Sequence, residues 1–131
     1  MELESQFRSW LKTQLIIKSW SVTNVESSTK NGIPDMHLCR EGKTAWLELK
    51  RAIVDPCPLL RKEQRIWGLK YATHGGKAFV VHHIEDISLC RIYRHPIINI
   101  EMAGKYLRVL DPPVFECHLK ELTDALWLLI K

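Results

Sequence analysis

Long apolar runs, internal repeats and low-complexity segments are all missing from this chain. No stretch approaches the length needed to cross a membrane, which excludes a membrane-spanning class. The first residues, Met-Glu-Leu-Glu, are acidic and lack the pattern of a signal peptide. We therefore expect a cytoplasmic protein that does not associate with membranes.

Cysteine pairs with the spacing of a structural zinc site are also missing. The four cysteines are Cys39, Cys57, Cys90 and Cys117. No two of them form a C-x-x-C pair, so the sequence does not indicate a zinc ribbon or zinc finger. We expect free thiols, buried or half-buried, in a reducing compartment.

The composition indicates a globular domain of ordinary size. At 131 residues, with 46% hydrophobic residues, the chain is long enough to bury a real core as one domain spanning residues 1–131. The formal net charge is +4. A mildly basic chain suits a phosphate-rich partner without identifying one.

Residues 32–50 predict a β-hairpin. Glu41-Gly42 provides the turn signal, because a glycine after a polar residue suits a two-residue turn between antiparallel strands. Counted back from that turn, the register places Asp35 opposite Glu48. Side chains alternate faces along a strand, so Lys50 shares a face with these two acids.

The opposite face of the hairpin is apolar. It carries five residues that we expect in the core: Met36, Leu38, Ala45, Leu47 and Leu49. One face of the hairpin therefore packs inside the protein. The other holds two carboxylates and an amine within contact range.

Two carboxylates that face each other repel unless a positive charge lies between them. Mg²⁺ suits this place, because it takes oxygen ligands from one or two carboxylates, waters and substrate phosphate. We expect Asp35 and Glu48 to bind Mg²⁺, or Mn²⁺ in its place, with the carbonyl oxygen of Leu49 as a further ligand. Lys50 would orient a water or stabilise charge on a scissile phosphate. The alternative is a salt bridge of Lys50 with one acid on a solvated face.

The pattern Pro34-Asp35 followed by Glu48-Leu49-Lys50 resembles the PD-(D/E)XK nuclease superfamily. Residues 30–52 (KNGIPDMHLCREGKTAWLELKRA) and 59–83 (LLRKEQRIWGLKYATHGGKAFVVHH) resemble its VRR-NUC and Holliday-junction-resolvase-like members. The further matches are a glycine two residues before the proline, an apolar triplet before the second acid, a downstream glutamine on a helix, and a Gly-rich turn into an apolar strand. The resemblance covers about residues 2–83.

This resemblance implies an α/β fold with a restriction-endonuclease-like αβββαβ core, in which helices flank a mixed central sheet. Residues 84–131 would form a C-terminal extension that sets substrate or dimer geometry. Hydrophobic periodicity agrees with that order. The predicted elements are a helix over 2–18, a strand within 19–27, the hairpin, a loop over 51–58, a helix over 59–74, a buried strand over 77–83, a short helix and strand within 84–94, a strand near 105–110, and a helix over 119–131.

The apolar residues of two predicted helices are expected to be buried. Ile66 is expected on the buried side of the helix over 59–74. The apolar helix over 119–131 belongs either to the core or to a dimer contact.

Two further site residues follow from the resemblance. The first helix of the superfamily often supplies an acid to the metal site, and Glu4 matches it best, with Glu2 as the alternative. Both glutamates also suit the first turn of a helix, where the dipole favours negative charge. Gln64 stands where the family has a glutamine that points into the active site; otherwise it is a boundary residue.

Basic residues near these positions are candidates for binding DNA phosphates, since backbone contacts supply most non-specific affinity. An ordinary solvated face is the alternative for all of them. The candidates are Lys30, Arg51, Arg61, Lys62 and Arg65.

The resemblance implies Mg²⁺-dependent hydrolysis of DNA phosphodiester bonds. Small single-domain members often act on branched DNA as homodimers, since symmetric cutting of a junction needs two active sites. We expect a structure-selective endonuclease, specifically a Holliday junction resolvase, in the cytoplasm of a bacterium or of a host cell if virus-encoded. The alternatives are a flap or duplex endonuclease, an RNA substrate, and a non-catalytic module that binds nucleic acid or a partner.

Overall fold

A six-stranded mixed sheet, with helices on both faces, forms the centre of the computed structural model, which describes residues 3–25 and 32–131. Two single 3₁₀ turns, Glu85–Ile87 and Leu119–Glu121, accompany the main elements. In chain order these are α1 (Leu3–Ile17), β1 (Ser21–Asn24), β2 (Met36–Arg40), β3 (Lys43–Ala52), β4 (Leu59–Leu60), α2 (Lys62–Ala72), β5 (Ala78–Ile84), β6 (Leu89–Arg94), β7 (Ile100–Ala103), β8 (Tyr106–Val109), β9 (Phe115–His118) and α3 (Leu122–Ile130).

The main sheet has the strand order β1-β2-β3-β5-β6-β9. Strands β3 and β5 are parallel, and α2 connects them, as a crossover between parallel strands requires. The other neighbouring strands of this sheet run antiparallel. This arrangement confirms the predicted α/β class, the mixed central sheet and the αβββαβ order.

The hairpin of β2 and β3 has the predicted register, with Arg40 paired to Lys43 and Met36 to Leu47. Its turn residues Glu41 and Gly42 have φ values of 50° and 78°. Positive φ at both positions is the geometry of a type I′ turn, whose twist matches that of the strands. A glycine at the second position lowers the steric cost of that turn.

The apolar face of the hairpin packs under α1 and α3. All five hairpin residues predicted to be apolar core are at most 1% exposed. They form one cluster with Leu11 of α1 and Leu122 and Leu126 of α3. The C-terminal helix therefore belongs to the core. No helix within residues 3–25 and 32–131 is long and apolar enough to cross a membrane.

The opposite face of the main sheet is covered by α2 and by a three-stranded sheet of order β4-β8-β7. The predicted helix over 59–74 is wrong at its start, because Leu60 pairs with Leu107 of β8 and is fully buried. Ile66 is 39% exposed, contrary to the prediction. Gly68 takes the buried position instead, since a Cβ there would overlap the ring of His95.

Burial of His95 predicts a loss of stability in acid. His95 is 4% exposed, and burial lowers its pKa from 6.5 to about 4. The unfolded chain binds the proton more readily, so the stabilisation is present above about pH 6.5 and is lost as the pH falls through about 4. The expected loss is about 3 kcal/mol. Urea unfolding at neutral and acid pH measures it.

His95→Phe keeps a planar ring at this position and removes the titrating group. The difference in unfolding free energy between neutral and acid pH should therefore be smaller in this variant than in the wild-type chain. An equal difference in both proteins would contradict the assignment of the acid effect to His95.

Candidate active site

A cavity of about 450 Å³ lies beside the second half of β3 and the first turn of α2. All five residues predicted from the sequence as catalytic line this cavity: Glu4, Asp35, Glu48, Lys50 and Gln64. They come from four parts of the chain, namely α1, the segment before β2, β3 and α2. The fold therefore brings together at one place the residues that the sequence pattern singled out.

Asp35 is fixed to β3 through its side chain. The backbone N–H of Leu49 donates to Asp35 Oδ2 at 2.8 Å. The guanidinium of Arg8 in α1 lies 3.9 Å from the other carboxylate oxygen. In a strand the N–H and C=O of one residue leave on the same side, so the carbonyl of Leu49 also faces the Asp35 side of β3.

Gly32 sets the path of the chain towards Asp35. Its φ of 74° lies in the left-handed region that favours glycine. A Cβ at this position would overlap the backbone carbonyl of Glu63, in the first turn of α2. The segment before Asp35 thus packs directly on the turn that carries Gln64, which gives a physical reason for the glycine of the motif.

Glu48 is the buried carboxyl group at the centre of the site. It is 2% exposed, and its Oε2 accepts a hydrogen bond from Gln64 Nε2 at 3.0 Å. Lys50 Nζ lies 3.7 Å from the same oxygen. Burial, and then the negative charge of Asp35, raise the pKa of Glu48 well above 4.5, while Lys50 acts in the opposite direction.

Gln64 connects the start of α2 to both charged residues of β3. Its Oε1 accepts from Lys50 Nζ at 3.2 Å and from the backbone N–H of Arg61 at 2.8 Å. The bond with Arg61 is part of a capping box, in which the side chain of the third helical residue, Gln64, accepts from the backbone N–H of the N-cap residue, Arg61. The helix start therefore holds Gln64, and Gln64 holds the carboxylate of Glu48 and the ammonium of Lys50.

Glu4, the acid predicted on the first helix, lies at the rim of the site. Glu4 is exposed in the first turn of α1, lines the cavity, and makes a small contribution to raising the pKa of Glu48. The alternative residue, Glu2, lies outside the described residues.

The candidates for DNA binding differ in their exposure and in their distance from the cavity. Arg61 is half-buried and lines the cavity, whereas Lys62 is exposed at the first position of α2. Lys30 lies outside the described residues. Arg61 and Lys62 therefore stand beside the site, and their binding of phosphate stays a prediction.

Two other candidates have their guanidinium groups engaged within the chain. Arg51 donates to Gln6 Oε1 at 3.2 Å and lies 2.9 Å from a carboxylate oxygen of Glu85. Arg65 donates to the backbone carbonyls of Ile97 and Ile98 at 3.0 and 2.9 Å. Arg65 thereby links α2 to the chain before β7, which gives it a structural contact whatever else it binds.

Arg8, Asp55 and His82 are among the residues near the site that sequence reasoning missed. Arg8 follows Glu4 by four positions, a helical spacing that places both on one face and could have revealed it. Asp55 and His82 line the cavity, and His82 Nε2 bonds the Asp55 carbonyl at 2.7 Å. His82 lies beside Lys50 only because β5 pairs with β3, which no local signal reveals.

The donor set suits Mg²⁺. Glu48 Oε1 is buried and has no hydrogen-bond donor among the described residues, and a cation there would offset the repulsion between Glu48 and Asp35. Within residues 3–25 and 32–131, no three His, Cys, Asp or Glu side chains are arranged to hold an ion. Two carboxylates and a carbonyl are nevertheless a common protein share for Mg²⁺, which completes its shell with water and substrate phosphate.

No family model matches this chain, and no curated protein matches it in sequence. Its fold is similar to the solved structure of Archaeoglobus fulgidus Hjc, a Holliday junction resolvase from an archaeal hyperthermophile. The TM-score is 0.65 at 14% sequence identity, and the match covers 94% of this chain and 97% of that one. The likeness shows the mixed α/β fold with a helix-flanked sheet, and it extends into residues 84–131.

Proposed function

We propose that this chain is a Mg²⁺-dependent, structure-selective DNA endonuclease that hydrolyses phosphodiester bonds, and specifically a Holliday junction resolvase. The observation that carries the proposal is the buried Glu48 beside Asp35, Lys50 and Gln64 in one cavity. The similarity of the fold to that of a Holliday junction resolvase supports it.

Asp35, Glu48 and the Leu49 carbonyl would hold Mg²⁺, or Mn²⁺ in its place, with Glu4 assisting from the rim. When bound, the ion lowers the pKa of a coordinated water and offsets the negative charge of the phosphate. The chain itself contributes the two carboxylates in a fixed arrangement, because Asp35 is bonded to the backbone of β3 and Glu48 to Gln64.

Lys50 supplies a positive charge from the protein beside Glu48. Its ammonium group is held by Gln64 and faces the cavity, where it stabilises negative charge that develops on the phosphate. Gln64 acts as a positioning residue, since it contacts Glu48 and Lys50 at once. Arg61 and Lys62, beside the cavity, would bind phosphates of the DNA backbone, and Lys30 stays a candidate from the sequence alone.

The substrate and the assembly are those that the resemblance to resolvase-like nucleases implies, and the similar fold supports them. A four-way junction has two equivalent strands to cut, and a C₂ homodimer presents two equivalent active sites. The chain would act as such a homodimer on branched DNA. Residues 84–131 would shape the dimer or the DNA-binding surface.

Cleavage of a labelled substrate panel tests this function. The panel contains a four-way junction, a flap, a linear duplex and a single strand, each with Mg²⁺ and with a chelator. We expect metal-dependent cutting, fastest on the junction. Metal-dependent cutting of another substrate, but not of the junction, would support phosphodiester hydrolysis and contradict the assignment as a Holliday junction resolvase. Binding of DNA without cutting, in Mg²⁺ or in Mn²⁺, would contradict the proposed nuclease activity and would indicate a non-catalytic DNA-binding module.

A further inference from the structure

A second cavity of about 370 Å³ adjoins the candidate active site. Its lining consists of the start of α2 and the turn between β7 and β8: Arg61, Lys62, Glu63, Lys105 and Tyr106. Arg61 and Tyr106 also line the active-site cavity. The two cavities therefore adjoin each other at Arg61 and Tyr106.

The β7–β8 hairpin presents the side chains of this second cavity. Gly104, with a φ of 63°, and Lys105 form a two-residue turn between Ala103 and Tyr106. A positive φ at the first turn position alone is the geometry of a type II′ turn. Since Leu60 pairs with Leu107, the next step of the same register brings Tyr106 beside Arg61.

The chemistry of the second cavity is basic and aromatic. Its lining has three cationic side chains and one carboxylate, Glu63. Tyr106 is 37% exposed. Lys105 Nζ lies 5.5 Å from the centre of its ring. Cations that track phosphates beside an aromatic ring that stacks on a base are the combination by which proteins bind single-stranded nucleic acid.

The aromatic ring narrows the kind of DNA that fits. In an intact duplex both faces of each base are covered by neighbouring bases, so a side-chain ring finds no free face. At a branch point, a flap or a strand end, a nucleotide can leave the stack and present its base. A ring beside the active site therefore suits a substrate whose stacking is interrupted next to the cut.

We propose that the second cavity binds an unpaired nucleotide adjacent to the scissile phosphate. Tyr106 stacks on its base, and Lys62 and Lys105 bind its flanking phosphates. This inference rests on the proposed endonuclease function and specifies a feature of its branched substrate, namely one nucleotide at the branch point that leaves its base pair and its stack. It also gives the C-terminal part of the chain a direct contact with the substrate.

Binding by Tyr106→Leu and Lys105→Gln tests the inference, with each change made in the full Glu48→Gln chain so that the DNA stays intact. Fluorescence anisotropy compares a labelled branched DNA that has unpaired nucleotides at its branch point with a fully paired linear duplex. We expect Tyr106→Leu to weaken binding of the branched DNA about tenfold and to leave the duplex unchanged. Lys105→Gln should weaken both and reduce the salt slope by about 0.9.

Two matched variants serve as controls. Phe115 is 39% exposed, close to the value for Tyr106, and lies on the edge strand β9 outside both cavities. Lys43 is exposed at the far end of the β2–β3 hairpin. Phe115→Leu and Lys43→Gln should bind both DNAs as the Glu48→Gln parent does.

The outcomes separate this inference from the function on which it rests. If Tyr106→Leu behaves as Phe115→Leu does on both DNAs while the wild-type chain cuts DNA, the second cavity does not bind an unpaired nucleotide and the nuclease proposal stands. If the wild-type chain neither binds nor cuts any DNA of the panel, both proposals fail.

Discussion

Glu48→Gln is expected to reduce kcat for DNA cleavage by about 10³-fold or more, because it removes one of two carboxylates that would hold Mg²⁺. The amide keeps the size of the side chain and can still accept the hydrogen bond from Gln64 that now reaches Oε2. Single-turnover cleavage at saturating Mg²⁺ measures the loss. The expected effect is therefore on the chemistry rather than on the shape of the site.

The same substitution is expected to increase the free energy of unfolding at neutral pH when a chelator is present, and a decrease would contradict this expectation. The raised pKa of Glu48 means that its contribution to stability is fully present below about pH 4.5 and is lost as the pH rises through the folded-state value. Glutamine carries no charge, so this loss disappears. Urea unfolding at neutral pH in the presence of a chelator gives the comparison.

Glu121→Gln is the matched control, since Glu121 is exposed beside α3 and lines neither of the two cavities described here. It should cut DNA at the wild-type rate. Cleavage by Glu48→Gln at that same rate would contradict the assignment of Glu48 to the metal site. A folded Glu48→Gln protein that binds DNA without cutting it is the result that we expect.

Lys50→Gln is expected to lower kcat by roughly 10²–10³-fold with little change in the affinity for DNA. The ammonium is the cationic group that Gln64 holds beside Glu48, so its loss would remove the proposed charge stabilisation at the phosphate. Removing a positive charge 3.7 Å from Glu48 should also strengthen binding of Mg²⁺. Cleavage rates across a Mg²⁺ titration separate the two effects.

The control for this variant is Lys70→Gln, because Lys70 is an exposed lysine in the last turn of α2. It removes the same charge from the chain without touching the site. Equal losses of kcat in the two variants would indicate a general effect of net charge. A loss confined to Lys50→Gln would support its role beside the phosphate.

The hairpin was predictable from sequence because its signals are local. A two-residue turn at Glu41-Gly42 fixes the register, and the register alone places Asp35 opposite Glu48. The alternation of side chains then places Lys50 and Glu48 on the face of β3 opposite the core residue Leu49. Gln64 was placed by the helix period together with the resemblance to a nuclease family.

The parts that the sequence did not reveal depend on distant pairing. Leu60 has the apolar character of a helix or a strand, and its pairing with Leu107 of β8 decides between them. Gly68 is buried because a histidine ring from the end of β6 occupies the space where its Cβ would stand. No local pattern in residues 59–74 contains that information.

Tyr106 shows the same limit of local patterns at the site itself. The sequence predicts a strand near residues 105–110, which β8 confirms. Its position beside Arg61 follows from the pairing of β8 with β4, a strand of two residues that has no periodicity to detect. The position of Tyr106 in the lining of both cavities therefore depends on the three-stranded sheet.

Single-turnover cleavage of a four-way junction, labelled on each strand in turn, tests the central claim most directly. Wild-type protein and Glu48→Gln are compared over a Mg²⁺ titration that begins in chelator. The account predicts paired nicks at symmetric positions in opposite strands, absent in chelator, increasing with Mg²⁺, and lost in Glu48→Gln. An intact junction at every Mg²⁺ concentration, or equal cutting by both proteins, would contradict it.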